Sequence, residues 1–586
     1  MSETPPSTLP AFLRSAWFWG LALFLLALGI RLVGIGWGLP NDIRNQSLHP
    51  DEPVIWSVSQ RIEPSKARFD PGFYNYGTLY LTMVRVATDM VNAYGGGPRA
   101  SSAKAQWDAI GRYHLAGRIL SAAAGAGIAW VVFAILWRRT HWLGAAAGGL
   151  AAALAPGLVV HSRFQTVDIV AAFLLSVSLL YALKLIPSDT ETEATTPTLK
   201  WAMLAGLFAG LSAGTKYTGF LALFTLGVAC LALPAALRWR ALGAGVGVAV
   251  AAFLITTPGL FLNTAKFLED TTYEMRHTAT GHGIVFMGTP SGFIYHIANL
   301  SAGMGPLLLM VGGAGLIAGV IRKKLWIIAL VAFAVPYYLL IGQAEVKFFR
   351  YAIPLIPVLA LGAGWLIGQC HRQPDLKWKL GVAAGIFALG GAASRSITST
   401  FWMLDPDPRD QAARDLKQLA GPDTTVAVVK DPWFWTVSLF PDTALPRSVR
   451  FEERNRFRAE ATSPKVLQYV PENPEERVEW DVRILDAKPD YVVATSFEWD
   501  DEQRLAKIAD LPPAIRAGVE RKAAFEARLR AEYDGFRLYG EDGPVIHDLM
   551  YIRPRVWIWK RKTDSATPSS GSSITSDPNE EPAPTR

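Results

Sequence analysis

Residues 15–53 read SAWFWGLALFLLALGIRLVGIGWGLPNDIRNQSLHPDEP. The run from Ser15 to Leu39 is apolar and long enough to cross a bilayer core as a helix. Just beyond it, His49-Pro50-Asp51-Glu52-Pro53 places two adjacent carboxylates between prolines, at the edge of the membrane that the run implies. Pro53 suits the first turn of a helix, where the dipole favours an ionised carboxylate. Asp51 and Glu52 then read either as a helix cap with a solvated neighbour, or as a base able to take a proton from an attacking hydroxyl or amine.

Blocks like the first recur along the chain. Of its 586 residues, 51% are hydrophobic and 18% charged, against about a quarter charged in an ordinary soluble chain. The expected fold is a polytopic α-helical membrane protein with eleven transmembrane helices, at 15–38, 115–137, 143–160, 167–184, 200–215, 217–237, 241–259, 299–321, 325–342, 352–369 and 380–397. Tyr76 to Tyr94 is interrupted by Arg85 and Asp89 and reads as a helix lying at the interface. The first span has no clear small-residue cleavage site and reads as a retained helix rather than a removed signal.

The net charge of +7 lies largely in short loops, which argues for a membrane pattern and against nucleic acid as a partner. With residues 1–14 cytoplasmic, the inner loops carry Arg138-Arg139, Lys184 with Lys200, Arg238-Trp239-Arg240, Arg322-Lys323-Lys324 and the stretch from Arg372 to Lys379, as the positive-inside rule requires. Had Tyr76–Tyr94 crossed, these clusters would fall outside. The same arrangement puts the outer-face loops at 40–114 and 260–298, together with the segments around Asp168, Lys216 and Arg350, on one face. Cys230 and Cys370 have no CxxC partner and read as packing residues.

After the transmembrane region, 15–400, the composition turns polar. Residues 401–562 are expected to form an outer-face C-terminal α/β domain, with strands at Thr424–Val429, Tyr491–Thr495 and Val556–Trp559 and helices at Arg409–Leu419 and Asp501–Tyr533. The tail 563–586, rich in Ser, Thr, Pro and Glu, reads as disordered.

Other polar residues on the outer face carry two readings each. Asp168 opens the fourth span, where a charge needs water or a partner; it reads as an N-cap or as a second functional acid, with Arg163 as a partner. Lys216, in Gly214-Thr215-Lys216-Tyr217-Thr218-Gly219, snorkels to the interface or meets a phosphate. Tyr273, Arg276 and His277 share a helical face, either solvated or phosphate-binding. Lys347, Arg350 and Tyr351 are interface anchors or close the phosphate site. Two carboxylates without ligand spacing leave a divalent metal at Asp51 and Asp168 undecided.

Taken together and in order, these residues resemble the GT-C glycosyltransferases. The nearest groups are the dolichyl-phosphate-mannose protein mannosyltransferases (glycosyltransferase family 39) and the bacterial lipid A aminoarabinose transferases. The resemblance rests on Asp51-Glu52, Arg163 with Asp168, Lys216 in Thr-Lys-Tyr-Thr-Gly, Arg276-His277 and Arg350-Tyr351-Ala352-Ile353-Pro354, and covers roughly residues 15–420. Where relatives often carry Pro-Pro-Leu-Tyr, this chain has Tyr76-Gly77-Thr78-Leu79-Tyr80. The resemblance implies transfer of a hexosyl or pentosyl group from a polyprenyl-phosphate donor to a protein, glycolipid or polysaccharide acceptor outside the membrane, with inversion. It makes Asp51 the base, with Glu52 or Asp168 orienting the acceptor or a metal. His49, Arg163, Lys216, Tyr273, Arg276, His277, Lys347, Arg350 and Tyr351 then bind substrate or phosphate. Such an enzyme sits in the lipid bilayer, on the Ala- and Arg-rich composition a bacterial inner membrane. The alternative is a transporter or flippase of lipid-linked sugars, which would need ionisable or broken-helix features at the midplane.

Overall fold

The structure, a computed structural model, describes residues 15–562 other than 101, 189–198, 374, 422, 431–432, 440–464 and 468–478. The terminal segments 1–14 and 563–586, read above as cytoplasmic and disordered, lie outside the described residues.

Seventeen helices, α1 to α17, make up the described part of the apolar region. They are α1 Ala16–Leu32, α2 Asp51–Ser59, α3 Thr78–Ala93, α4 Ala103–Trp137, α5 Trp142–Leu154, α6 Pro156–His161, α7 Val167–Leu183, α8 Leu199–Ala213 and α9 Ala222–Cys230. There follow α10 Ala235–Thr256, α11 Gly259–Leu262, α12 Thr264–Thr280, α13 Gly292–Met304, α14 Pro306–Ile321, α15 Leu325–Gly342, α16 Leu355–His371 and α17 Leu376–Leu404. Four long apolar helices, one sharply bent pair and six shorter apolar helices fall on the eleven expected spans one for one. The chain is a polytopic helical membrane protein. Some of the helix contacts run through small residues, as in bilayer bundles: a Cβ added to Gly206 in α8 would lie 1.9 Å from the Gly245 carbonyl oxygen of α10. One added to Gly315 in α14 would lie 2.0 Å from that of Gly362 in α16.

Several spans differ from the sequence reading for identifiable reasons. The span expected at 143–160 is two helices, because Pro156 has no N–H to give the Ala152 carbonyl. Arg31, buried in α1, supplies the missing donors, with Nη2 3.3 Å from the Ala152 oxygen and Nη1 3.0 Å from that of Ala153. The span expected at 299–321 is α13 and α14, meeting at 111° across Gly305, whose φ of +88° suits glycine. The span expected at 217–237 opens with a 3₁₀ turn, Tyr217–Leu221, and its helix stops at Cys230. The segment expected to lie at the interface is α3, which buries Tyr80, Leu81, Val84 and Thr88 along one face against α2 and α4.

The last helix of the bundle runs unbroken to Leu404, past the boundary expected at residue 400. Beyond it, α18 Pro408–Leu419, α19 Ser496–Leu505, α20 Pro513–Glu532 and α21 His547–Met550 accompany a five-stranded mixed sheet. Its strands are β1 Thr425–Val428, β2 Lys465–Leu467, β3 Tyr491–Thr495, β4 Tyr533–Tyr539 and β5 Val556–Arg561, in the order β2-β1-β3-β5-β4. β1 runs parallel to β2 and β3, while β5 is antiparallel to β3 and β4. Alternation along the strands splits the core in two: Val426, Val428 and Ile558 pack with Leu416 on one face, and Trp557 and Trp559 with Trp499 and Phe525 on the other. The single helical stretch expected at Asp501–Tyr533 is two helices, α19 and α20, separated at Pro512-Pro513. The strands β2 and β4 went unanticipated.

This region is seated on loops between the membrane helices by arginine contacts. Arg44 donates to both oxygens of Asp410 at 3.1 Å. Arg504 donates to the carbonyls of Ile284, Val285 and Met287 at 2.8, 3.0 and 3.1 Å.

Candidate active site

Adjacent residues on a helix point about 100° apart, and α2 begins at Asp51, so its two acids cannot share a direction. Glu52 points inward and is fully buried. Arg118 of α4 holds it in a bidentate fork, Nε to Oε1 at 2.8 Å and Nη2 to Oε2 at 2.7 Å. The Gln165 N–H, at 2.7 Å, and the Ser47 hydroxyl add two more donors. A carboxylate has about four lone-pair sites, and all are taken. Burial alone would raise the Glu52 pKa, but the Arg118 charge and hydrogen bonds bring it down to about 2. Glu52 therefore has no lone pair left to orient an acceptor or a metal, the role expected for it. It is the anchor of α2, and Arg118 extends that anchorage to the Ile35 and Trp37 carbonyls at 2.7 and 2.5 Å.

Asp51 points the other way, partly open, with Oδ2 3.7 Å from Nη2 of Arg350. His49, expected to bind substrate, is buried instead. Its Nδ1 accepts the Asp51 N–H at 3.2 Å, and its ring lies against Phe164 and Tyr551. Burial pushes the imidazole pKa down, which favours the neutral ring that this acceptor role needs. The Arg350 guanidinium lies over the Phe348 ring at 4.0 Å. Burial would favour losing its proton; Asp51 and Asp548 outweigh burial and hold its pKa well above the ordinary value.

A second acid and base stand beside this pair. Lys216 donates to Asp168 at 2.7 Å, and its ammonium lies 4.7 Å from the centre of the Tyr351 ring. The partner expected for Asp168 was Arg163. That side chain turns away instead, to the Ile30 carbonyl and the Thr400 hydroxyl, both at 2.8 Å, and to Met403 Sδ at 3.2 Å. Arg163 is fully buried and braces α1 against α17. Lys347 is also removed from the phosphate role: it is buried, with Nζ 3.2 Å from the Thr289 hydroxyl and 3.5 Å from Glu345. On α12 the Tyr273 and His277 rings stack at 5.8 Å. His277 Nε2 lies 3.1 Å from His282 Nδ1, and the His282 ring meets Phe348 edge-on at 5.5 Å. Arg276 is exposed; the cation facing Asp51 is Arg350.

Three residues around the site escaped the sequence reading. Tyr76 stands near Asp51, where burial and that carboxylate raise its pKa well above the usual value and keep the phenol protonated. Its segment is fixed from behind: the Tyr217 hydroxyl donates to the Tyr74 carbonyl at 2.7 Å, with the Tyr76 carbonyl also within reach at 3.1 Å, and the Leu79 N–H donates to the Gly214 carbonyl at 2.9 Å. Asp548 and Tyr551 reach the site from α21 and the residue after it. Asp548 accepts the N–H groups of Phe349 and Arg350 at 2.8 and 3.0 Å. A lone acid in a polar region carries no sequence signal for such a contact.

The residues present do not fit a metal at Asp51 and Asp168. Each carboxylate faces its own cation, Arg350 and Lys216, and among the described residues no three His, Cys, Asp or Glu side chains converge.

A profile of the dolichyl-phosphate-mannose-protein mannosyltransferase family matches residues 98–273. Among solved structures, ArnT from Cupriavidus metallidurans bound to undecaprenyl phosphate aligns at 16% identity. The alignment covers 93% of this chain and 98% of that one, with a TM-score of 0.50. The archaeal oligosaccharyltransferase AglB from Archaeoglobus fulgidus, in complex with an inhibitory peptide and a dolichol-phosphate, aligns at 13% identity over 90% and 74%, with a TM-score of 0.47. The protein O-mannosyltransferase complex Pmt1-Pmt2 of S. cerevisiae, bound to its sugar donor, aligns at 15% over 45% and 35%, with a TM-score of 0.31. No curated protein sequence matches the chain.

Proposed function

We propose that the chain is an inverting glycosyltransferase that moves a sugar from a polyprenyl-phosphate donor to an acceptor at the outer membrane face. The observation that carries this is the partly open Asp51 carboxylate, 3.7 Å from the Arg350 guanidinium, with Lys216 and Tyr351 alongside. A sugar on a lipid phosphate is already activated, since the phosphate leaves as a stabilised anion. The protein has to supply a base on one side of the anomeric carbon and positive charge on the other.

In this reading Asp51 takes the proton of the acceptor hydroxyl or amine as its oxygen or nitrogen bonds to the anomeric carbon. The bond from that carbon to the phosphate oxygen breaks on the opposite side, which inverts the centre. Arg350 receives the phosphate with its fork of donors, and Lys216 adds a point charge. Without donor, Asp51 and Arg350 neutralise each other; the arriving phosphate draws on Arg350 and leaves Asp51 free to act as base. Tyr273 and His277 line the approach from α12.

The ArnT structure, bound to undecaprenyl phosphate, and the family profile support a lipid-phosphate donor. The charge pattern of the loops supports an extracytoplasmic site and a cytoplasmic N-terminus, and the Ala- and Arg-rich composition supports a bacterial inner membrane. The division into a transmembrane and a C-terminal domain, expected at residue 400 and moved beyond Leu404 by the last bundle helix, belongs to the same reading. A hexose or pentose is the group transferred, and a protein, glycolipid or polysaccharide the acceptor. The transporter alternative finds no support among the proteins that the chain resembles. The test is mass analysis of lipid-linked sugars and surface glycans in cells with and without the protein. One polyprenyl-phosphate sugar is expected to accumulate, and one glycan to lose that sugar, when the protein is absent; unchanged pools of both would overturn the reading.

A further inference from the structure

The cation wall of the site does not stand on the membrane helices alone. Phe349 and Arg350 belong to a 3₁₀ turn, Phe349–Ala352, that leads into α16. The N–H groups at the start of such a turn have no partner within it. Both are taken by a single carboxylate, that of Asp548, with one oxygen on each N–H at 2.8 and 3.0 Å. Oδ2 of Asp548 also lies 3.6 Å from Nη1 of Arg350. Asp548 is fully buried, where an acid is costly unless it is paired and hydrogen-bonded. Here, apart from its own amide, the hydrogen bonds it accepts come from the turn that carries Arg350.

Arg350 thus stands between two carboxylates, Asp51 at 3.7 Å and Asp548 at 3.6 Å, one on each terminal nitrogen. They differ in kind. Asp51 is partly open and exchangeable for a ligand; Asp548 is enclosed and fixed to the backbone. Around Asp548 the C-terminal region supplies a supporting wall. The His547 ring lies 5.4 Å from that of Phe348, which itself carries the Arg350 cation, and the Tyr551 ring lies 5.7 Å from that of His547.

From this geometry we infer that Asp548 is a positioning residue for the donor phosphate: it fixes the backbone and one edge of Arg350 so that the other edge is presented to the lipid phosphate. The C-terminal region thereby builds part of the donor site. The inference rests on the donor reading given under Proposed function.

The test uses the full chain in detergent or nanodiscs, with a polyprenyl phosphate as probe and the matching polyprenol, which lacks the phosphate, as control. Wild type, Asp548→Asn, Arg350→Ala and Arg504→Gln are compared. Arg504→Gln loosens the seating of the C-terminal region at the Ile284–Met287 carbonyls without touching Arg350. Asp548→Asn is expected to weaken binding of the polyprenyl phosphate about tenfold, the worth of one charge-assisted hydrogen bond. Polyprenol binding stays as it was, and in turnover the donor KM rises with little change in kcat. Arg504→Gln is expected to leave the phosphate preference intact. If wild type binds the phosphate no better than the alcohol, the donor reading itself fails. If wild type prefers the phosphate and Arg350→Ala loses that preference while Asp548→Asn keeps it, the positioning role is overturned and the donor reading stands. Equal loss in Asp548→Asn and Arg504→Gln also overturns it, because the effect is then one of domain seating.

Discussion

Arg118 grips Glu52 through two parallel hydrogen bonds of 2.8 and 2.7 Å, with neither side chain exposed at all. The guanidinium comes from the longest helix of the bundle, and the carboxylate from the first turn of α2. The pair therefore decides where the neighbouring Asp51 points.

Removing one member of a buried ion pair strands the other, at about 3–5 kcal/mol. Glu52→Gln and Arg118→Met are each expected to lower the thermal unfolding midpoint in detergent and to abolish transfer. Full activity in a folded Glu52→Gln protein would mean that Asp51 needs no such anchor.

The same pair predicts a limb of acid sensitivity. The Glu52 pKa falls from its ordinary 4.5 to about 2 in the folded chain, so the folded state binds fewer protons than the unfolded one between those values. Stability from this group is fully present above pH 4.5 and is lost as the pH falls toward 2. Unfolding midpoints measured across that window should drop in the native protein and drop less steeply in Glu52→Gln.

Asp51→Asn keeps the shape of the side chain and removes its basicity. The transfer rate is expected to fall about 10²–10⁴-fold, with polyprenyl-phosphate binding retained or tightened, since Arg350 loses a competing anion. A rate within a factor of a few of the native one would remove Asp51 from the base role.

Lys216 and Asp168 form a pair at 2.7 Å with the acid almost wholly enclosed. Lys216→Met should destabilise the protein by leaving Asp168 unpaired. The double variant with Asp168→Asn should regain stability without regaining donor affinity. A thermal-shift cycle combined with donor KM separates the two effects, and recovery of KM in the double variant would assign Lys216 to structure alone.

Gly77 holds the loop of Tyr76 against the turn that follows α8. A Cβ there would lie 2.1 Å from the Gly214 carbonyl oxygen, so Gly77→Ala has to push the two backbones apart. The expected cost is about 1–3 kcal/mol, together with lost activity as Tyr76 shifts. Limited proteolysis between α2 and α3, compared with the native protein, reads the displacement directly.

The bundle was largely legible in the sequence because crossing a bilayer demands long apolar blocks, and these stand out against polar loops. What escaped were breaks inside the blocks. Pro156 and Gly305-Pro306 interrupt helices without interrupting hydrophobicity, so the spans around them read as continuous. The first acid pair was located correctly, but which acid faces the site depends on Arg118, a charge that reads as ordinary at the start of a span. Arg163 was matched to Asp168 on nearness in sequence, whereas the Lys216 ammonium meets it in space and Arg163 serves backbone carbonyls. Asp548 was beyond reach, because its meaning lies wholly in a contact with a turn some two hundred residues earlier.

That contact has a consequence for how the protein is made. Chains emerge from the ribosome N-terminus first, and their domains generally fold in that order. The bundle and Asp51 can be in place while Asp548 is still untranslated, leaving the 349 and 350 amides without their carboxylate. The cation wall reaches its final setting only when synthesis has passed residue 548. On the function proposed above, a nascent chain thus carries the acid before it carries a finished phosphate grip, and the order of translation itself delays the moment at which transfer can begin.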